Sequence, residues 1–374
     1  MTNVIDFDLH GVVGIRLLNA GPPEVAAVAR QLGPISASLS REPDITLHFV
    51  DSLSLRGPVR YLGENDAAFT ADAFLVLRGK HKSQARVQIP FDQIGQRCEI
   101  QCERGLIAVP LLIAIINLTM LGKGYLPLHA SAFLYQGQGA LVTGWAKGGK
   151  TEALLAFLDQ GAHYVGDEWV YLDPGGQQMY GIPEPIRIWQ WHLDYLPRYQ
   201  ARLKAGKRIK LKTLDWMVTL MGQPFLDRRA SGPFGMVQRM RGLLQKQQYT
   251  HLPPLEVFGE SFCPLAGKLD TVFLIMSHES DAVTVETISP EEICQRMVFS
   301  LQDEQRELQA FYHKYRFAFP HCRNELLENS AECQRNLLRQ ALDGKEAFAV
   351  YHPYPAPIPL LYEAMNPVLK REGR

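Results

Sequence analysis

The spacing of apolar and polar positions changes several times along the chain, and each change predicts an element. Val12 to Leu18 and Ile45 to Val50 carry the β-branched, alternating character of strands. Pro23 to Leu32 repeats its apolar residues at helical intervals behind a proline suited to a first turn. Further strands are expected at Phe74 to Arg78, Ala85 to Ile89 and Arg97 to Gln101. These predict a small α+β domain over residues 1–105. The pattern then breaks at Leu106 to Leu121, an almost wholly apolar run interrupted by Pro110 and Asn117. It falls short of the roughly 20 residues needed to span a bilayer, so it reads as a buried helix beneath the sheet that follows.

Past that helix the texture is that of an α/β core. Ala140 to Thr143 is a short apolar run, Glu152 to Leu158 places Ala153, Leu154 and Phe157 on one helical side, and Leu269 to Ile275 reads as a strand. Ser289-Pro290-Glu291-Glu292 combines an N-cap residue, a proline at the first helical position and acids that suit the helix dipole. A helix is expected around Ala331 to Leu342, then a strand at Ala347 to Tyr351 before proline-rich turns. The chain thus divides into an N-terminal domain (1–105), an α/β core (106–285) and a mainly helical extension packed on that core (286–374).

The chemistry concentrates in the core. Between the Ala140 strand and the Glu152 helix lies Gly144-Trp145-Ala146-Lys147-Gly148-Gly149-Lys150-Thr151, a complete phosphate-binding loop in the strand-to-helix setting that such a loop requires. Gly144 and Gly149 allow backbone conformations that turn successive amides toward an anion. Lys150 would reach the terminal phosphates of ATP, and the Thr151 hydroxyl would sit on Mg²⁺. Seventeen positions after Lys150 comes Asp167-Glu168, between Tyr164-Val165 and the expected strand Trp169 to Leu172. Paired acids at a strand edge suit metal binding and proton acceptance. Fifteen positions before Gly144 stands His129.

These intervals resemble the catalytic domain of HPr kinase/phosphorylase, a bacterial serine kinase whose fold is related to phosphoenolpyruvate carboxykinase. The resemblance is carried over about sixty residues by His129, the Gly137-Gln138-Gly139 turn, the phosphate loop, Gly161-Ala162-His163 and Asp167-Glu168. It implies a P-loop kinase core of that type, with Asp167 as general base toward a serine hydroxyl of a protein or peptide. It further implies that Glu168 holds Mg²⁺ with Thr151, and that His129 hydrogen-bonds the acids and the phosphoryl group. Phosphoryl transfer calls for further cations around the transferred group, and Arg187, on an expected strand, is the first candidate. Two departures are visible: Glu168 stands where the family usually has Asp, and the family's Arg-Gly-rich signature is missing beyond an isolated Arg241-Gly242. Phosphorolysis is therefore not carried over. A small-molecule hydroxyl kinase and a catalytically inactive, nucleotide-regulated binding protein stay open as alternatives, as does a homo-oligomer.

Composition adds bounds rather than identity. The 374 residues include 39 basic and 39 acidic ones, so no global field recruits nucleic acid or membrane. Cys98, Cys102, Cys263, Cys294, Cys322 and Cys333 show no paired zinc spacing and suit a reducing cytoplasm. The N-terminal residues lack the basic and apolar pattern of a secretory signal, so a cytoplasmic location is expected. From Trp189 to Lys212 aromatic residues precede a basic run. It reads as a solvated helix beside the core, a mobile cover over the nucleotide or an acidic peptide groove, or a single-strand nucleic-acid surface. Arg228, Arg229, Arg239 and Arg241 form a second basic stretch that could supply a cation to the site.

Overall fold

The structure, a computed structural model, describes residues 4–33, 35–78, 84–221, 233–245, 247–259 and 265–369. Arg228, Arg229 and Cys263 lie outside the described residues. Two large mixed sheets dominate. The first runs Val4–Leu9, Val13–Leu18, Ile45–Val50, Cys98–Glu103, Gln84–Gln88, Phe74–Arg78, Ala67–Phe69 and Arg60–Leu62, with Ile45–Val50 parallel to both its neighbours and the rest antiparallel. Alternation decides its faces: Phe7, Leu9, Ile15, Leu17, Ile45 and Leu47 point into one core together with Val28 and Leu32 of the helix Pro22–Leu32. Cys98 and Cys102 lie on the inward face of the same strand, and the described cysteines are all free thiols.

The second sheet runs Ala266–Lys268, Gln178–Gly181, Trp169–Leu172, Leu126–Tyr135, Gln138–Thr143, Thr271–Ser277, Glu346–His352 and Thr284–Thr287. Only Gln138–Thr143, Thr271–Ser277 and Glu346–His352 are mutually parallel. Helices cover both faces. Lys150–Asp159 and Ile358–Leu369 share a core with Phe133, Val142, Phe273 and Val350, whereas Pro290–Glu304 and Ser330–Leu342 pack against Ala130, Leu141, Val272 and Ala349. The Ser289 side chain accepts from the Glu292 amide, as the sequence there predicts.

The segment 286–374 is more than an extension packed on the outside. Its strand Glu346–His352 lies within the sheet, between Thr271–Ser277 and Thr284–Thr287. Its helix Arg306–Ala318 closes the other core instead: Tyr315 stacks on Phe91 at 5.3 Å and meets Phe74 edge-on at 5.6 Å. Buried Asn324 fastens this region, donating to the carbonyls of Phe91 at 2.7 Å and Ile94 at 2.8 Å. Large apolar surfaces on both sheets needed covering, and helices distant in sequence supply the cover.

The apolar run ahead of the core forms the helix Leu112–Gly122. It is buried, as expected, but it belongs chiefly to the N-terminal core and touches the second sheet through a polar contact. The Tyr171 hydroxyl donates to Asn117 Oδ1 at 2.8 Å, with both residues buried. His10, at the tip of the first hairpin, makes a second junction: its Nε2 donates to the Gly181 carbonyl at 2.7 Å, and its ring lies 5.0 Å from that of Tyr180. No helix among the described residues is long and apolar enough to cross a membrane.

The basic and aromatic stretch folds as helices. Tyr199 is buried and donates to the Leu158 carbonyl at 2.9 Å, Arg198 pairs with Asp159 at 2.8 Å, and Arg202 donates to the Val257 carbonyl at 2.9 Å. This part of the stretch is therefore a brace on the helix Lys150–Asp159. Arg239 is exposed and Arg241 partly buried on the helix Pro233–Gln245.

Tyr171→Phe leaves the buried Asn117 carbonyl without its donor, and urea unfolding is expected to record a loss of about 1–3 kcal/mol. Burial holds His10 below the ordinary imidazole pKa, only partly offset by its hydrogen bond to Gly181. As pH falls through about 6.5 the unfolded chain takes up a proton that the folded one resists, so this histidine subtracts stability on the acid side. His10→Gln removes that term. The stability of the variant relative to wild type should rise between pH 8 and pH 5 in parallel denaturant titrations; a constant difference would dismiss the assignment.

Candidate functional site

The loop Gly144 to Thr151 crosses the carboxyl ends of the parallel strands, the position where α/β sheets bind ligands. Its backbone is forced. Gly144 has φ 153°, and a Cβ there would stand 2.4 Å from the Ile275 carbonyl oxygen. Gly149 has φ 106°, and its Cβ would stand 2.3 Å from Nε2 of His352. That histidine, at the end of Glu346–His352, is buried and donates from Nε2 to the Gly148 carbonyl at 2.8 Å. Lys150 is buried, and its ammonium donates to the carbonyls of Gly144 at 3.3 Å and Trp145 at 3.0 Å. Burial lowers the Lys150 pKa, against the opposing pull of Glu168, Asp167, Glu304 and Glu152. Trp145 is exposed, and Lys147 adopts a left-handed φ of 65°.

The acids sit in a break between two short strands. His163–Gly166 pairs with one half of Leu126–Tyr135, Trp169–Leu172 pairs with the other half, and Asp167-Glu168 spans the gap. Glu168 has φ 68°, which is costly for a residue with a Cβ and recurs at functional positions. The Ala130 amide anchors this turn by donating to the Glu168 carbonyl at 3.2 Å. His129 and Ser131, two apart on the facing strand, project to the same side.

The structure brings His129, Lys150, Thr151, Asp167 and Glu168 together. Asp167 is 3% exposed and accepts from the Thr151 hydroxyl at 3.0 Å and 3.2 Å; it also accepts from Ser131. Burial and the neighbouring Glu168 charge push its pKa up to about 6, against the opposing hydrogen bonds from Ser131 and Thr151. His129 Nε2 lies 3.0 Å from the half-exposed Glu168 carboxylate, and its Nδ1 is hydrogen-bonded to Glu304. Burial alone would lower the His129 pKa, but these two carboxylates outweigh it and hold the imidazole above its ordinary value. Glu168 is held below the usual carboxylate range, first by the His129 hydrogen bond and further by Lys150 and Arg187.

The two acids face different partners. The Thr151 hydroxyl, expected to share a metal with Glu168, meets Asp167 here, and Glu168 faces His129. The reason is the left-handed turn at Glu168, which sends consecutive carboxylates in different directions. Arg187 lies on the two-stranded ribbon Ile186–Trp189 and Tyr249–Leu252, outside the second sheet. It is exposed, its guanidinium lies 4.7 Å from the centre of the Tyr249 ring, and its charge reaches Glu168 without contact.

Sequence reasoning missed four site residues. Ser131 was legible as the same-face neighbour of His129. Glu304 and His352 carry no local signal, and Glu184 was legible only as part of the Pro183-to-Ile188 stretch, without a role. Glu184 stands between Pro183 and Pro185; burial, Glu168 and Asp167 raise its carboxyl pKa well above the usual range, and its Oε1 finds no hydrogen-bond partner.

Hard oxygen donors suit Mg²⁺, which binds through one or two carboxylates plus substrate phosphates. The adjoining Thr151 hydroxyl and Asp167 carboxylate fit that requirement. Among the described residues no group of three or more His, Cys, Asp and Glu is arranged to hold a metal by itself. In comparisons with known proteins, the chain matches no protein-family model and no curated protein.

Gly149→Ala introduces a Cβ into a left-handed position and against the His352 ring. Fluorescence titration with a labelled ATP analogue is expected to show affinity at least about tenfold weaker, the equivalent of ~1.4 kcal/mol. Unchanged affinity would mean that the loop does not hold phosphate in this conformation.

Proposed function

We propose that this chain is an ATP-dependent kinase that transfers the terminal phosphoryl group to a hydroxyl, serine first, of a protein or peptide. The observation that supports this most is the convergence on Asp167: the phosphate loop reaches it through Thr151, and the facing strand through Ser131. A donor-binding loop and a buried carboxylate of raised pKa thus meet at one point. The reading also draws on the likeness of the His129, loop and acid spacing to HPr kinases.

In the reaction, the helix Lys150–Asp159 offers its N-terminal amides to the phosphates, and Lys150 supplies a compact charge. Asp167 takes the proton of the incoming hydroxyl as the new oxygen–phosphorus bond forms. The bond from the terminal phosphorus to the bridging oxygen breaks, and ADP leaves with the electron pair. A pKa of about 6 suits this role, because the carboxylate is ionised at neutral pH yet basic enough to share a proton. Mg²⁺, held by the Thr151 hydroxyl together with the phosphates, would neutralise charge on the transferred group and leave the Asp167 carboxylate to take the proton. Arg187 lies outside the immediate contacts and acts by its field. His129 sets the orientation of Glu168.

Purified protein, [γ-³²P]ATP, Mg²⁺ and a panel of serine-containing peptides and proteins provide the test. Wild type is expected to label an acceptor, and Lys150→Ala and Asp167→Asn should each lower the rate by about 10² or more with unchanged circular dichroism. Full transfer by both variants would overturn the assignment. Labelling of a metabolite hydroxyl alone would move the acceptor class to small molecules.

A further inference from the structure

Glu304 occupies an unfavourable place. It is the last residue of the helix Pro290–Glu304, where the macrodipole favours cations, and it brings another carboxylate within reach of the Glu168 charge. An acid that breaks two local rules needs a compensating partner. Its partner is His129, 175 residues earlier in the chain.

The histidine is held on every side. Nδ1 is hydrogen-bonded to Glu304, Nε2 lies 3.0 Å from Glu168, and the ring stacks on Trp169 at 5.8 Å with planes 29° apart. Two carboxylates on one imidazole call for a proton on each nitrogen, both donated outward. If the Glu304 bond is removed, the ring keeps the Glu168 contact and the Trp169 stack but loses one of the two hydrogen bonds that fix its rotation about Cβ–Cγ. We propose that Glu304 is a positioning residue: by holding Nδ1 of His129 it aims Nε2 at Glu168 and so stabilises the left-handed turn that presents Asp167 to the phosphate loop. Its hydrogen bond goes to His129, and its charge also reaches Lys150 at a distance; the positioning effect runs through the imidazole. This is the logic by which a third group orients a base in catalytic triads. The consequence for turnover rests on the kinase reading; the hydrogen bond itself does not.

Two measurements separate those levels. In protein labelled with ¹⁵N-histidine, the His129 ring, assigned by its absence in His129→Asn, is expected to show a low-field Nδ1–H proton. That signal should disappear in Glu304→Gln, and also in Glu304→Asp, whose shorter side chain draws the carboxylate back. Its persistence in both variants overturns the proposal whether or not the protein is a kinase. In the transfer assay, Glu304→Gln is expected to lower kcat about tenfold while KM for ATP stays within about twofold. It should have no further effect in a His129→Asn background. Independent, multiplying effects of the two substitutions would overturn the route through His129. Absence of transfer by wild type would sink the kinase reading and leave the imidazole signal to decide this one.

Discussion

A carboxylate taken almost entirely out of water must be met by donors, and the site is organised around that constraint at Asp167. Its charged form would be costly in a buried position without partners. Ser131 on one strand and Thr151 on the loop helix both donate to it, so an electrostatic debt ties the sheet to the phosphate loop. The same debt explains the raised pKa: two hydroxyl donors offset burial and the neighbouring Glu168 in part, not in full.

The neighbouring acid solves the same problem differently. Consecutive side chains in a regular strand would point to opposite faces, but the break between His163–Gly166 and Trp169–Leu172 lets both carboxylates be used from one end of the sheet. The cost is a left-handed residue that is not glycine. His129 repays it by fixing the Glu168 side chain, and the Ala130 amide fixes its carbonyl. The strain of this turn falls on Glu168 and is held by its neighbours on the facing strand.

What was legible in the sequence follows from the range over which each feature is encoded. The phosphate loop is written in consecutive residues, because its glycines answer to local backbone geometry, and strands such as Ile45–Val50 are written in alternation. That Asp167, His129 and Lys150 would lie close together was legible from their spacing within one stretch. The pairing of Thr151 with Asp167 instead of Glu168 was not legible, since it depends on a φ value at a residue whose identity gives no warning. Glu304 and His352 reach the site from strands and helices folded back from far away, and an isolated acid or histidine has no periodicity to betray it. The packing partner of Arg306–Ala318 was not legible for a related reason: an amphipathic pattern shows that one side is buried but not against which sheet.

The contact between His352 and the Gly148 carbonyl spans 204 positions of sequence. During synthesis the glycine-rich segment leaves the ribosome long before the strand that braces it, and until Glu346–His352 enters the sheet the loop has no floor beneath Gly149. The braced conformation of the glycine-rich loop is therefore a late property of the nascent chain, acquired only when the sheet accepts that strand.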